Sequence, residues 1–523
     1  MHGGMMRRIV GRAAGRVAAA AAVAAGVLFS DAKAAEDRNG PLPKIMSPFS
    51  VDGQGTEGFV GLRFTGELSG ADCGEGAFVM SSFVLGDGTT AELLLEPMQL
   101  TTEDARLVIG TRAGDRPAAL PNVALYSGQV VGKADSRVFL SLSEGAQYGY
   151  VIVDGATHVL SSGPAGQGLP PVIYRTDAVP EDAFNWADWT CSVGASERVE
   201  AVGVADSGRE ETAGGEERPP CRVAVIAVET DWEYTGSIFG GNTEASAAYA
   251  LTLWGAVSEI YKRDVNTSLR ISFLRVWESD SDPYAGGGLG EFQNYWNANM
   301  GHVPRHAAHI LCAGYGGGVA YLPGLCNWGY EYGLSGALAG YFPYPLRDHS
   351  NYNWDPFVVS HELGHNFGAP HTHDHNPVID GCGLGDCSDA FNGTIMSYCH
   401  GCPRGMFNIV LRLHERSISE AILPWLRRAN CDLTVDPECA ITCGDVKKMT
   451  ARCSARGQVS LKVRLRNEDH NGQEVVVNLD GRAFAFTVRG DRVAEKVCCF
   501  AGPVTVSLES PSGCVPPIET PCE

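Results

Sequence analysis

The segment His361-Glu362-Leu363-Gly364-His365-Asn366-Phe367-Gly368-Ala369-Pro370-His371 constrains the fold more than any other stretch of the chain. Two histidines four apart on a helix lie one above the other on the same face, so both imidazoles can reach one metal ion. Gly368 is placed to end that helix, because glycine takes the left-handed conformation that reverses the chain. The reversal lets His371 approach the same ion from another direction. Three neutral imidazoles leave a tetrahedral zinc ion with an open position, where a bound water has its pKa lowered to about 7. Glu362 sits beside the first ligand but cannot share its direction, which makes it the candidate general base and acid.

A second pattern, Gly393-Thr394-Ile395-Met396-Ser397-Tyr398-Cys399, follows after a short glycine-rich loop. The two patterns together resemble the metzincin zinc metalloproteases, in which Met396 would be the Met-turn floor beneath the metal ligands. The Met-x-Tyr arrangement is similar to that of astacin and serralysin enzymes, and implies that Tyr398 binds the metal or stabilises the developing oxyanion, with a structural tyrosine in the turn as the alternative. His365-Asn366-Phe367-Gly368 and the cysteine-rich surroundings look most like the adamalysin or reprolysin branch. That resemblance implies an α/β zincin catalytic domain, one catalytic Zn2+, protein or peptide substrates, and a propeptide that inhibits its own enzyme. Many reprolysins follow the third histidine with aspartate, whereas this chain has Thr372, then His373, Asp374 and His375. His373 and His375 read as part of a solvated loop, with a second metal site as the alternative.

Arg7, Arg8, Arg12 and Arg16 precede an apolar run from Val17 to Phe29, and Ala32-Lys33-Ala34 supplies a small-x-small cleavage site. Residues 1–34 therefore read as a secretory signal peptide, too short for a comfortable membrane span. Seventeen cysteines agree with an exported, disulfide-bonded protein, and their odd number leaves at least one thiol without an intramolecular partner. The balance of 40 basic against 61 acidic residues, a charge of -21, argues against nucleic acid or an anionic membrane as the main partner.

Composition divides the rest. Residues 35–196 read as a β-rich propeptide, with strands at Phe59 to Phe64, Ala77 to Leu85 and Ala91 to Leu95. Glycine-turn strands from Tyr126 to Ile152 resemble the reprolysin propeptide, which implies a zymogen whose prodomain assists folding and blocks the cleft. Residues 197–220, rich in Gly, Glu and Ala, read as a linker. In such families a propeptide cysteine can occupy the open zinc position; Cys191 is the better candidate for that switch and Cys73 the other, with a disulfide as the alternative for both.

Residues 221–431 alternate strands and helices as an α/β zincin domain requires. The strands are at Arg222 to Val228, Leu269 to Trp277 and His309 to Cys312. A long helix from about Glu244 to Asp264 is capped by Asn242 or Thr243, and a short one covers Leu289 to Trp296. Gly318 to Leu322 reads as an edge strand able to pair with an extended substrate, and Trp354 to Phe367 as the active-site helix. Eight cysteines allow four disulfides, with Cys382 and Cys387 close enough for a small loop. The rival is a second zinc site using Cys399 and Cys402 with Cys382 and Cys387. Asp380, Asp386 and Asp389 offer carboxylates for Ca2+, which a polar loop explains equally well. Residues 432–523 read as a small, cysteine-rich antiparallel β domain, with a hairpin turn at Asp480-Gly481. The reading is a secreted zinc endopeptidase; the rivals are a zinc-binding adhesion protein without turnover and a hydrolase of a non-peptide amide.

Overall fold

The computed structural model describes residues 42–52, 59–65, 76–133, 135–165, 168–178, 222–284, 288–342, 354–428, 433–435, 441, 443–466, 470, 473–500 and 502–522. The leader, the 197–220 stretch, Cys73 and Cys191 lie outside the described residues.

Seven strands build the sheet that carries the histidine segment: β1 (Thr101–Thr111), β2 (Gly114–Ala118), β3 (Arg222–Thr230), β4 (Thr267–Trp277), β5 (Ala307–Leu311), β6 (Gly318–Ala320) and β7 (Tyr332–Ser335). Their spatial order is β6-β7-β5-β3-β4-β1-β2, and Thr434–Val435 pairs with the start of β3. The contacts from β7 through β1 are parallel, and the inner strands β3, β4, β5 and β7, covered on both faces, are buried almost throughout. All 11 residues of β4 are buried. β6 at one edge and β2 at the other pair antiparallel with their neighbours, as Thr434–Val435 does with β3.

The far edge holds a result that local sequence does not signal. β1 and β2 come from the N-terminal stretch, yet β1 pairs with β4 from Ile271 opposite Thr101 to Trp277 opposite Gly110. The other described strands between Lys44 and Arg175 form a separate ten-stranded sheet. It is wrapped around two cores, one its own and one shared with the histidine-bearing region.

Helix α1 (Thr243–Val265) is the joint between the two sheets. Asn242 caps it, its Oδ1 accepting from the amides of Glu244 and Ala245 at 3.1 Å each; such a cap is worth about 1 kcal/mol. One side of α1 packs on β4, and the other meets Leu125, Phe139, Tyr148 and Tyr150 of the N-terminal sheet. Polar groups follow the same path: Ser141 Oγ lies 2.7 Å from Thr252 Oγ1, and the Tyr150 hydroxyl donates to the buried Glu259 carboxylate.

Two further helices, α2 (Leu289–Asn299) and α3 (Trp354–Asn366), flank the site, and a later helical run covers Glu415–Ser417, Ile418–Ile422 and Leu423–Arg428. Every residue of α3 is buried. Its Asp355 accepts from the Tyr249 hydroxyl at 2.8 Å and from the amides of Ala339 and Gly340 at 2.9 Å each, fixing the helix start, and burial pushes this carboxyl up to about 6.

At the C-terminus, β8 (Val446–Cys453), β9 (Val459–Leu465), β10 (Glu474–Leu479), β11 (Arg482–Thr487), β12 (Arg492–Val497), β13 (Val504–Ser510) and β14 (Ile518–Thr520) make two antiparallel sheets around one core. Their orders are β8-β9-β12 and β11-β10-β13-β14. Asp480 and Gly481 both take positive φ, 51° and 83°, as the two-residue turn between β10 and β11 requires. Cys443–Cys514 and Cys453–Cys522 staple the module. Among the described residues no helix is long and apolar enough to cross a membrane.

Candidate metal centre

Helix α3 delivers His361, Glu362 and His365 on successive turns, then stops as its sequence demands. Gly368, at φ 91°, takes the left-handed position; its amide bonds the His365 carbonyl and the Ala369 amide bonds the Gly364 carbonyl, each at 2.9 Å. That pair of bonds is a Schellman motif. The chain turns back, and His371 joins the other two with all three ligand nitrogens within 4.8 Å of one another.

The orientation of the rings favours a cation between them. His361 Nδ1 faces the Ile395 carbonyl at 2.6 Å and His365 Nδ1 faces the Ala369 carbonyl at 2.8 Å. Nδ1 is therefore the protonated nitrogen in both rings, which leaves the Nε2 lone pairs facing inward. The Nε2 atoms of His365 and His371 are 3.2 Å apart, and the buried His361 Nε2 has no hydrogen-bond partner. Ligands about 2.0–2.1 Å from a tetrahedral ion sit roughly 3.3 Å from each other, so the spacing fits. Burial, and after it the neighbouring His371, hold His361 well below the usual histidine range, in the neutral form that ligation needs.

The Met-turn segment closes the site from below. Met396 is fully buried, and a Cβ on Gly364 would lie 2.5 Å from its sulfur, so the thioether packs directly under the helix between the two histidine turns. Thr372 occupies the position of the reprolysin aspartate, and its amide and hydroxyl donate to the Met396 carbonyl at 3.0 and 3.3 Å. It ties the residue after the third histidine to the floor. The half-buried Tyr398 has its ring 4.7 Å from that of His371 and 6.1 Å from that of His361.

Glu362 is fully buried, and its carboxylate lies against the edge strand. A Cβ on Gly318, the first residue of β6, would fall 2.2 Å from Glu362 Oε1. Only glycine lets the strand come this close to the carboxylate. Gly318→Ala is expected to leave metal binding unchanged but lower kcat/KM on the order of tenfold to a hundredfold by displacing the carboxylate, since misplacements near 1 Å carry such costs. Metal content and initial rates measured on one preparation check this. Asn366 ties helix to strand, its Nδ2 donating to the carbonyls of Tyr321 and Tyr332 at 3.0 Å each.

Several expectations need correction. The His373–His375 stretch is not a solvated loop: His373 stacks on His371 at 5.1 Å and 9°, and His375 is buried with Nδ1 3.0 Å from Glu420 Oε2. Cys382 and Cys387 do not close a small loop. The pairs are Cys382–Cys399 and Cys387–Cys402, which also removes the thiolates a second zinc site would use. Cys312 is a free buried thiol, so the eight cysteines do not form four bridges among themselves, although Cys326 is disulfide-bonded. Asp380, Asp386 and Asp389 form no common group, and Asp380 and Asp386 instead accept from nearby amides of their own loop.

A helix-borne histidine pair completed by a third from the following turn, with a buried carboxylate alongside, defines a metal-dependent hydrolase centre. Residues 220–408 match the model of Reprolysin_5, metallo-peptidase family M12, so the region that carries the histidines is similar to metallopeptidases of that family, and the activity it supports is that of a metallopeptidase. Among solved structures, the crystal structure of metalloproteinase-II from Bacteroides fragilis is similar at 11% identity and a TM-score of 0.34, covering 67% of this chain and 91% of that one. No curated protein matches.

Proposed function

We propose that the protein is a secreted, zinc-dependent endopeptidase made as a zymogen, with Glu362 as general base. The observation that carries this reading is the convergence of three imidazoles on one point while the adjacent carboxylate is aimed at an open sheet edge. An all-imidazole set suits zinc, and His361, His365 and His371 would hold it. When bound, zinc polarises the scissile carbonyl and lowers the pKa of a coordinated water to about 7.

The chain's own residues do the rest. An extended peptide adds to the free side of β6 through backbone hydrogen bonds, which recognises main chain more than side chain. Glu362 takes a proton from the attacking water at its carboxylate and returns it to the leaving amine. Tyr398 donates its hydroxyl to the oxygen that gains charge. The leader 1–34 directs export, the stretch 35–196 supports folding and latency, and Cys191 holds the site closed until the chain is cut.

Mass spectrometry of a peptide library treated with the matured protein tests the reading. Internal bonds should be cut, cleavage should stop with 1,10-phenanthroline, and added zinc should restore it. Chelator-resistant cleavage, or trimming of termini alone, would overturn it.

A further inference from the structure

The three-stranded sheet β8-β9-β12 alternates from Lys448 onward, after a register shift at the start of β8 that leaves Lys447 exposed as well, and its inward row at Leu461 carries the half-buried Ala451 and Glu495. Met449, Leu461, Val463 and Val493 point into the core, and the residues between them face solvent. Register then places the outward residues in rows. Lys448 lies opposite Arg464, which lies opposite Arg492; Lys462 holds the middle row; Arg452 and Lys496 close the third, on either side of Ser460. Six of these nine outward positions are basic and none is acidic. The other three are Thr450, Ser460 and Ala494.

This face differs from an ordinary solvated one. A charged surface normally intersperses both signs, and like charges directly opposite each other across a sheet are destabilising. The row Lys448, Arg464, Arg492 places three cations opposite one another. Arg464 is held by Asp491 at 2.9 Å, but among the described residues Lys448, Arg452, Lys462, Arg492 and Lys496 have no ion pair. Residues 441–523 contain 11 Lys and Arg against 10 Asp and Glu in a chain of net charge -21, so the cations are concentrated here rather than spread for solubility.

The geometry points to a docking surface for an acidic polysaccharide. The cations form a grid about 4.8 Å across the strands and about 6.7 Å along them, a regular field for carboxylates or sulfates repeated along a polymer. The hydroxyls of Thr450 and Ser460 lie within it to bond sugar oxygens. Nucleic acid is the poorer fit because no outward position carries an aromatic ring on which bases could stack. A membrane is poorer too, since the face has no large apolar side chain to enter the headgroup boundary. Tethering the chain by this module would concentrate the enzyme on an anionic matrix without occupying the metal centre. The inference does not depend on the proposed catalytic chemistry.

The test compares full-length protein carrying Glu362→Gln, to prevent autolysis, with the same chain carrying K448Q, K462Q and R492Q. A control carries R63Q, R112Q and R482Q, which removes equal charge elsewhere. Binding to heparin is measured by titration at several salt concentrations, beside a short DNA duplex and phosphatidylserine vesicles. The parent should bind heparin most tightly, the face variant should lose roughly tenfold or more, with a shallower salt dependence, and the control should change less than twofold. At low salt the face variant should also melt at higher temperature, as relief of like-charge repulsion predicts, which separates lost binding from lost folding. Absence of heparin binding by the parent, equal losses in both variants, or tighter binding of DNA or vesicles would each overturn the proposal.

Discussion

Glutamine at position 362 is expected to abolish peptide cleavage while leaving the metal in place. The substitution keeps the shape of a fully buried side chain and removes only its ability to take a proton. Glu362 is not among the groups whose ligand atoms converge with the imidazoles, so the donor set is intact without it. Proton transfer by a positioned side chain contributes about 10²–10⁴-fold, and kcat/KM for a quenched peptide should drop by at least that much. Bound zinc per chain, measured by atomic emission, should equal the parent's. Cleavage within tenfold of the parent would remove Glu362 from the proton path. Loss of zinc would make it a residue that positions the ligands instead.

The parts of this site that could be read from sequence are those in which residue spacing alone decides geometry. Four residues make one helical turn, and glycine three residues after the second histidine makes a reversal, so the convergence of His361, His365 and His371 follows from local rules. Helix α1 and strands β3, β4 and β5 were legible for the same reason, through apolar periodicity and a cap. The close approach of Gly318 to Glu362 was not, because it depends on where a strand some 40 residues upstream is stacked. The fate of His375 depends on Glu420 in a later helix. The cysteine pairs skip their nearest partners because the loops from 382 to 402 cross, which spacing cannot reveal. β1 is the largest omission: its first half, with Glu103, Asp104 and Arg106, reads as solvated edge, and nothing local names β4 as its neighbour.

That pairing underlies the second large effect. A chain beginning at residue 220 is expected not to fold. Without the N-terminal stretch, β4 becomes a bare edge whose residues are otherwise all buried, a template for aggregation. The outer face of α1 loses Leu125, Phe139, Tyr148 and Tyr150. Buried polar groups lose partners as well: Glu259 keeps Arg263 but loses the Tyr150 hydroxyl, and Arg275 keeps Glu229 but loses Asp115, 2.6 Å away. Leaving a buried polar group one hydrogen bond short costs about 1–3 kcal/mol, against roughly 5–15 kcal/mol for the whole stability of a domain. Two such losses add to the apolar face of α1 that is returned to water, where each fully uncovered large side chain costs about 1.5–3 kcal/mol. Expression of 220–523 alone should therefore give aggregated protein without a cooperative melting transition, and co-expression of 35–178 as a separate chain should restore both solubility and the transition. It follows that a cut between 179 and 221 need not release the N-terminal part; after such a cut the two pieces should co-elute on size exclusion. A soluble, cooperatively melting 220–523 fragment that cleaves peptides would show instead that β1 and β2 are dispensable, and that the N-terminal stretch serves latency alone.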